Sequence, residues 1–182
     1  RLTVRRLQMG AWCTGMATRA LQMLCEHARN RVTFGAKLSE RQAIQFWVAE
    51  AATKIHACRL MVMDAASKSD AGRDVRTEAS MIKVFATEMA GEIIDQAMQA
   101  HGAMGVTKEL PLQLMASKVR TMRVYEGPSE VHRMTIGKRV LDGKEVPGEL
   151  VEADKARKIY TDIVQRTLDP GLLDPLCRTG EC

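Results

Sequence analysis

Apolar residues recur at alternating steps of four and three along one stretch of this sequence. They are Ile44, Val48, Ala51, Ile55, Cys58, Val62 and Ala65. This spacing lays a single apolar stripe along a long helix and suits near-antiparallel packing in a left-handed bundle. Other helices have to cover such a stripe, so the pattern predicts a helical bundle.

The composition favours the same fold. Of the 182 residues, 46% are hydrophobic but only 4% are aromatic, and 12 are methionine. Strands prefer β-branched and aromatic residues, which are scarce here. The chain is long enough for one domain with a substantial core. We therefore predict an all-α protein, an antiparallel up-and-down bundle of the four-helix-bundle type.

The helices on either side of the stripe have recognisable ends. A first helix is predicted over Val4–Asn30, and the striped helix begins at "SERQ", where Ser39 and Gln42 have the form of a capping box. Gly72 is the predicted end of that helix, and Asp74 is the predicted cap of the third. The buried face of the third helix is predicted to consist of Ala79, Ile82, Ala86, Met89 and Ile93.

The second half continues as helix with two interruptions. Proline at the first turn predicts a fourth helix over residues 112–122 and a fifth over residues 131–141. "DGKEVPGE" then has the composition of a linker, Leu150–Thr167 predicts a charged amphipathic helix, and the tail is irregular. We thus predict a bundle domain over residues 1–141 and a C-terminal helical extension over residues 142–182. Because the sequence opens in helix without an initiator methionine, we expect it to be part of a longer protein.

The charge pattern argues against a nucleic-acid partner. The formal net charge is +5, but the basic residues are dispersed among acidic ones, as in "EADKARK". No basic run is interleaved with aromatic residues. A solvated surface of mixed charge explains the pattern best.

Cysteine and histidine usage excludes other classes. The five cysteines form no CxxC pair, so buried thiols in a reducing compartment are expected rather than disulfides. The four histidines have no metal-ligand spacing, so no metal site is predicted. Without a signal peptide or a long apolar run, no membrane span is expected. We predict a soluble intracellular protein.

Three glycine-containing breaks separate the helices: "RVTFGAKL", "QAHGAMGV" and "RVYEGPSEVH". Glycine inside a helix costs about 1 kcal/mol and proline about 3 kcal/mol, so packing alone does not explain the third break. The last helix begins just after it, and its free amides can receive an anionic group or a polar cofactor edge. From spacing alone, ordinary interhelical loops remain the alternative.

The order of these motifs resembles a known family. "RVTFG", the glutamine of "SERQ", "QAHGAMG" and "VYEGPSEVHRMTIGKRVL" are similar to the C-terminal helical domain of acyl-CoA dehydrogenases, over about the first 141 residues. "GPSEVH" resembles a branch related to dehydrogenases fused to a kinase-like domain. The resemblance implies an FAD enzyme that removes two hydrogens from the α and β carbons of an acyl-CoA thioester. It also implies a location in the cytoplasm of a bacterium, or in the mitochondria or peroxisomes of a eukaryote.

The resemblance also implies roles around the third break. Glu126 is the predicted base that takes the α-proton, Tyr125 and Gly127 shape the substrate site, and Arg6 helps to position the acyl-CoA. A carboxylate shielded from water and facing a stabilised enolate suits that task. Some relatives carry the base on the first helix, where this chain has Arg5, so Glu126 is the one candidate. A helix-capping carboxylate is the structural alternative.

FAD contacts are implied at the other two breaks. Arg31 and Thr33 are predicted to hold the diphosphate, Phe34 to pack near the adenosine, and Gln42 to hydrogen-bond to it. A surface ion pair for Arg31 and capping roles for Thr33 and Gln42 are the alternatives. In the family these contacts cross a subunit interface, so a homo-oligomer, a dimer or tetramer, is expected. The other predicted FAD contacts are Gln99, Ala100, His101, Gly102 and Ala103, which also cross the interface, and Ser129 and Glu130, which lie next to the flavin.

Three functions stay open at this point. The first is the C-terminal domain of an acyl-CoA dehydrogenase, inactive in isolation, with an electron-transfer flavoprotein as a possible acceptor. The second is a helical interaction or oligomerisation module, favoured by Ala103 and Pro128 where the family has glycine and threonine. The third is an acyl-CoA oxidase.

Overall fold

The computed structural model describes residues 2–143, which contain five α-helices, two short 3₁₀ helices and one small sheet. The elements are α1 (Leu2–Asn30), β1 (Val32–Thr33), β2 (Ala36–Lys37), a 3₁₀ helix (Leu38–Glu40), α2 (Gln42–Asp70), α3 (Arg76–His101), a second 3₁₀ helix (Gly102–Val106), α4 (Leu112–Met122) and α5 (Ser129–Leu141). Within this range no helix is long and apolar enough to cross a membrane.

The chain divides into two units. Arg1–Arg139 form the first, and Val140–Cys182 form the second, of which only residues 140–143 are described. The predicted linker, the amphipathic helix, the irregular tail and Cys177 and Cys182 lie outside the described residues. The predicted boundary between the bundle domain and its extension therefore stays a prediction.

Pairs of side chains give the directions of the helices. Lys54 of α2 bonds to Glu92 of α3 at 2.7 Å, and Lys68 of α2 bonds to Glu78 at 3.0 Å. Residue numbers rise along one helix while they fall along the other, so α2 and α3 are antiparallel. Thr14 of α1 hydrogen-bonds to Cys58, and Gly10 lies against Val62 on the next turns, so α1 is also antiparallel to α2.

The fourth helix completes the up-and-down order. Gly91 of α3 lies against Val119 of α4, and Glu88 pairs with Arg123 at 3.4 Å just beyond the end of α4. Hence α4 runs antiparallel to α3, and the predicted all-α up-and-down bundle is confirmed. The predicted stripe is also confirmed, because its members are buried or pack against the core.

Small side chains bring α1 and α3 close together. Ala17 and Ala20 of α1 and Ala79 and Ala86 of α3 are fully buried. A Cβ added at Gly10 would lie 2.3 Å from the Cγ2 of Ile82 and 2.9 Å from that of Val62. Glycine is therefore required where three helices meet, because overpacking a core is itself destabilising.

The described cysteines are free thiols, as predicted. Cys13 and Cys58 are buried and Cys25 is half-buried. Burial raises the pKa of the Cys13 thiol to about 12, with the nearby Cys58 as the second cause. These two thiols therefore act as small apolar groups of the core.

The predicted capping box is wrong. Ser39 lies in the 3₁₀ helix, and the residue that precedes α2 is Arg41. Arg41 has an extended backbone, and its side chain makes no capping hydrogen bond to α2. Ser39 instead offers its backbone carbonyl to the Gln45 side chain, 3.1 Å away. The pattern failed because a short hairpin, absent from the prediction, sets the entry into α2.

Candidate active site

The segment 123–128 interrupts a run of helix that continues in one direction. Glu88 of α3 pairs with Arg123, at the end of α4, and with Arg133 of α5 at 2.6 Å. Further along α5, Arg139 pairs with Asp74, which precedes α3. Thus α4 and α5 both run toward the beginning of α3, and the break leaves this direction unchanged.

The break contains a strained backbone. Glu126 has φ +59°, in the left-handed region, and Gly127 follows with φ +96°. For a residue with a side chain, this conformation costs about 1–3 kcal/mol, and such residues occur preferentially at functional sites. A Cβ added at Gly127 would also lie 3.0 Å from the Nε2 of His132, so only glycine suits this position.

Three side chains from three helices hold this backbone. The Arg6 guanidinium of α1 donates to the Glu126 carbonyl through Nε at 3.2 Å and Nη2 at 3.1 Å. The Nε2 of His132, on α5, lies 3.2 Å from the same carbonyl. The Lys83 ammonium of α3 donates to the Gly127 carbonyl. These bonds offset the strain, since a hydrogen bond involving a charged group contributes about 1.5–3 kcal/mol.

The Glu126 side chain is treated differently from its backbone. It is half-buried, and among residues 2–143 it accepts no hydrogen bond and forms no ion pair. The loop therefore has its carbonyls fixed from inside the bundle while its carboxylate stays available. That arrangement does not fit the structural alternative of a capping carboxylate.

Burial sets the protonation of the two inner groups. The pKa of His132 is lowered chiefly by burial, and the nearby Arg6 and Lys83 charges add to that lowering. These surroundings favour the neutral imidazole at neutral pH, and because a carbonyl can only accept, the contact requires the proton on Nε2. Burial is also the main cause that lowers the pKa of Lys83, followed by the Arg6 charge, while Glu126 and Glu130 oppose the shift.

The other residues predicted around Glu126 surround the same loop. Tyr125 and Glu130 are exposed, whereas Ser129 is buried and its Oγ has no hydrogen-bond partner in the described part of the chain. Arg6 was predicted to position substrate, and the structure shows its guanidinium engaged with the Glu126 carbonyl. Sequence reasoning gave no role to Lys83, which lies in none of the quoted motifs, or to His132, which closes the motif "RVYEGPSEVH" but was assigned no contact.

A second group of predicted residues lies at the hairpin between α1 and α2. The antiparallel strands pair Val32 with Lys37 and Thr33 with Ala36. The two residues between them, Phe34 and Gly35, both have positive φ, as a type I′ turn requires.

The hairpin is closed locally and presents its side chains outward. Arg41 donates to the Thr33 carbonyl at 2.7 Å and to the Phe34 carbonyl at 3.3 Å. Phe34 is 100% exposed, and the side chains of Arg31 and Gln42 are exposed with no partner among residues 2–143. The surface ion pair considered for Arg31 is thus absent from the described part of the chain. Arg41 itself was not among the predicted residues.

The end of α3 and the 3₁₀ helix that follows it lie at the same end of the bundle as the hairpin. The His101 ring stacks on that of His27 in α1, with 4.3 Å between centroids, and Arg31 continues directly from the end of α1. Gly102 has φ +61°, and a Cβ at Gly105 would lie 2.2 Å from the Met98 carbonyl oxygen. The exposed members of the predicted set in this segment are Gln99, Gly102 and Ala103, and Ala100 and His101 are half-buried.

The two groups of predicted residues are far apart within one chain. An α-helix rises about 1.5 Å per residue, so α1 alone separates Arg6 from Asn30 by about 36 Å. The loop around Glu126 and the hairpin end therefore form two separate surfaces. Within residues 2–143 no group of three His, Cys, Asp or Glu side chains could hold a metal ion.

Comparison with known proteins agrees with these features. A family model described as "Acyl-CoA dehydrogenase, C-terminal domain" matches residues 1–141. The (R)-benzylsuccinyl-CoA dehydrogenase of Thauera aromatica is 44% identical over 146 residues, which are 79% of this chain and 36% of that protein. "Acyl-CoA dehydrogenase family member 11" of Gallus gallus is 40% identical over 126 residues, 68% of this chain and 16% of that protein.

Solved structures show the same fold. The structure of butyryl-CoA dehydrogenase from Megasphaera elsdenii matches with a TM-score of 0.73 and 31% identity, covering 77% of this chain and 37% of that one. The chain thus spans little more than a third of the length of the benzylsuccinyl-CoA and butyryl-CoA dehydrogenases that it matches.

Proposed function

This chain belongs to the acyl-CoA dehydrogenase family, of which it is a C-terminal domain, and we propose that it serves an FAD-dependent enzyme acting on acyl-CoA thioesters. The proposed reaction removes one hydrogen from the α carbon and one from the β carbon. FAD, when bound, supplies the acceptor for the β-hydrogen and its electron pair. Glu126 takes the α-hydrogen as a proton.

The observation that carries the proposal is the way in which Glu126 is presented. Its carbonyl is bonded to Arg6 and His132, whereas its carboxylate accepts no hydrogen bond and forms no ion pair among residues 2–143. A general base must reach its proton without being engaged elsewhere. The fixed backbone holds Glu126 in place, and the carboxylate without a hydrogen bond is available to take a proton.

The hairpin end has the chemistry that an FAD diphosphate requires. Arg31 offers an exposed guanidinium, whose planar fork can donate to two phosphate oxygens at once. Beside it, Phe34 is fully exposed and suits contact with an adenosine. Gly102 has open space where a Cβ would lie, so backbone there can approach a ligand.

The distance between the two surfaces supports a homo-oligomer. One flavin contacting both the Glu126 loop and the hairpin end would have to bridge about 36 Å along α1 of a single chain. We therefore propose that the hairpin end of one subunit completes the site at the Glu126 loop of another. An electron-transfer flavoprotein is the proposed acceptor of the electrons in a reducing intracellular compartment.

The test uses the complete FAD-loaded protein that contains this chain. Flavin absorbance is followed without oxygen while acyl-CoA thioesters are added. The series combines straight-chain thioesters with an aromatic dicarboxylate thioester, the type named in the Thauera relative. In Glu126→Gln, with FAD still bound, the reduction rate constant should fall about 10²–10⁴-fold. Glu50→Gln, on the exposed side of α2, is the control and should match the wild type.

Each alternative has its own result. A complete protein that binds no FAD would be an interaction module rather than an enzyme. Rapid reoxidation of the reduced flavin by oxygen would favour an acyl-CoA oxidase. Reduction of Glu126→Gln at the wild-type rate would remove Glu126 as the base.

A further inference from the structure

We propose that Lys83 is a positioning residue for the catalytic loop: its buried ammonium holds the Gly127 carbonyl and thereby directs the Glu126 carboxylate. The inference rests on the proposed function, because it assumes that Glu126 is the base. Lys83 lies on α3, far along the sequence from the loop that it contacts, and no motif includes it.

The environment of Lys83 is unusual for a lysine. Its side chain is among the largest fully buried ones, and the residue is only 1% exposed. Its neighbours Ile82 and Ala86 on α3 are buried as well. Lysine is almost never fully buried unless it is paired. Its hydrogen-bond partner here is a backbone carbonyl of the loop, not a carboxylate.

The other buried polar side chains of α3 behave differently. Ser80 Oγ donates to the Arg76 carbonyl at 2.9 Å, and Thr87 Oγ1 donates to the Lys83 carbonyl at 2.8 Å, so both bond within their own helix. The remaining one, Thr77, has no hydrogen-bond partner for its Oγ1 in the described part of the chain. Lys83 alone reaches from this helix to the Gly127 carbonyl. Its role is therefore directed at the loop rather than at the stability of α3.

The surroundings of Lys83 disfavour its charged form. Burial lowers the pKa of its ammonium, which means that the folded surroundings disfavour the charged form. Even a buried ion pair is weak evidence for stabilisation, since well-packed apolar residues in its place are often neutral or stabilising. A charge kept in such a place is a candidate for a functional role.

The contacts of Lys83 complement those of Arg6 and His132. Those two side chains hold the Glu126 carbonyl, and Lys83 holds the next one along the chain. Two consecutive peptide planes are then fixed, which leaves the Glu126 side chain as the part of the residue that can still turn. Without the bond to the Gly127 carbonyl, one peptide plane is no longer fixed and the position of the carboxylate becomes less well defined. A misplacement of about 1 Å can lower the rate by a factor of about 10².

The experiment compares two lysine variants in the FAD-loaded complete protein. Lys83→Met keeps the length of the side chain without its charge. Lys68→Met is the matched control, since Lys68 is 14% exposed in its side chain and pairs with Asp64 and Glu78, but it does not touch the loop. Anaerobic stopped-flow reduction by an acyl-CoA gives the rate constant and the substrate Kd separately.

We expect the reduction rate constant of Lys83→Met to fall about 10- to 100-fold, with unchanged FAD content and a substrate Kd within about threefold of the wild type. Lys68→Met should reduce at the wild-type rate. In Lys83→Ala, added ethylammonium should restore part of the rate, whereas tetramethylammonium, which has no N–H donor, should not. Lys83→Leu, which also lacks an N–H donor, replaces the Met variant if that variant does not fold, with the same expectation.

Equal rates in the two lysine variants would overturn the inference. So would a loss of rate that ethylammonium cannot restore and that follows a loss of FAD or of substrate affinity, since that is the behaviour of a structural residue. The proposed function fails separately, if acyl-CoA does not reduce the wild-type flavin or if Glu126→Gln reduces at the wild-type rate.

Discussion

The described part of the chain uses one backbone device twice, at Phe34-Gly35 and at Glu126-Gly127. These are its two places where a non-glycine residue with positive φ precedes a glycine with positive φ. At the hairpin the carbonyls are held by Arg41, a few residues along the chain, and the phenylalanine points into solvent. At the loop the carbonyls are held by side chains from three different helices.

The difference shows how one conformation can serve two purposes. A locally closed hairpin needs no other part of the fold, and it presents Phe34 and Arg31 to whatever lies outside. The loop is tied to the whole bundle, so its geometry changes if any of α1, α3 or α5 moves. The first surface is suited to contribute to another subunit, and the second is suited to hold a reactive group in place.

The strongest way to break this comparison is to inactivate the two surfaces in different subunits. Arg31→Ala and Glu126→Gln should each lose nearly all flavin reduction in the complete protein. If each site combines a loop from one subunit with a hairpin from another, a hybrid dimer contains one intact site. Co-expression in equal amounts should then restore activity to about a quarter of the wild-type sites.

Co-expression of Arg31→Ala with itself is the control and should stay inactive. Hybrids without activity, although both variants assemble together, would show that one subunit supplies both surfaces.

A matched pair of glycine substitutions sharpens the comparison at the backbone. Gly127→Ala places a Cβ at positive φ and 3.0 Å from His132, whereas Gly35→Ala meets nothing within 4 Å. We expect Gly127→Ala to lower the flavin reduction rate constant about 10- to 100-fold. Gly35→Ala should leave that rate constant unchanged and cost only about 1 kcal/mol of stability for the left-handed conformation.

Stopped-flow reduction measures the rate constant, and chemical unfolding measures the change in stability. A rate effect of Gly35→Ala as large as that of Gly127→Ala would mean that the two turns are not functionally distinct.

The smallest expected effect is a loss of stability at acidic pH through His132. The pKa of His132 is lowered from 6.5 by burial, so the unfolded chain binds a proton more tightly than the folded one. The contribution of His132 to stability is therefore complete above pH 6.5 and is lost as the pH falls below that value. The Tm should decrease between pH 7 and pH 5, and His132→Gln, which keeps an N–H donor, should weaken this decrease.

His27 at the hairpin end provides the comparison. Its pKa is also lowered, by burial and then by His101, but the ring is only half-buried. His27→Gln should change the same pH dependence less than His132→Gln does. An equal effect of both substitutions would mean that the loop is no more tightly coupled to the bundle than the hairpin end.

Local sequence signals predicted the helices well. Proline at the predicted first turn located α4 at Leu112–Met122, and Gly72, with φ +75°, follows the end of α2 at Asp70. The predicted family is confirmed. The match to "Acyl-CoA dehydrogenase family member 11" also agrees with the predicted branch. The roles of Glu126, Arg31 and the other site residues came from the resemblance and stay predictions.

The capping box failed for a physical reason. The signal at Ser39 is a local one, and a capping hydroxyl competes with any other structure that the same backbone can form. Here the hairpin and Arg41 determine how the chain enters α2, through bonds that the spacing of "SERQ" does not reveal.

The sequence by itself determined the helical periodicity, the positions of the breaks and the motifs that identify the family, because each depends on residues close together in the chain. The tertiary structure alone decided how Glu126 is held. Arg6, Lys83 and His132 come from three helices, separated from the loop by as many as 120 positions. The packing of α1 against α3 brings Arg6 and Lys83 to two neighbouring carbonyls, where His132 of the nearby α5 joins them, and no local pattern records the meeting of the two distant donors.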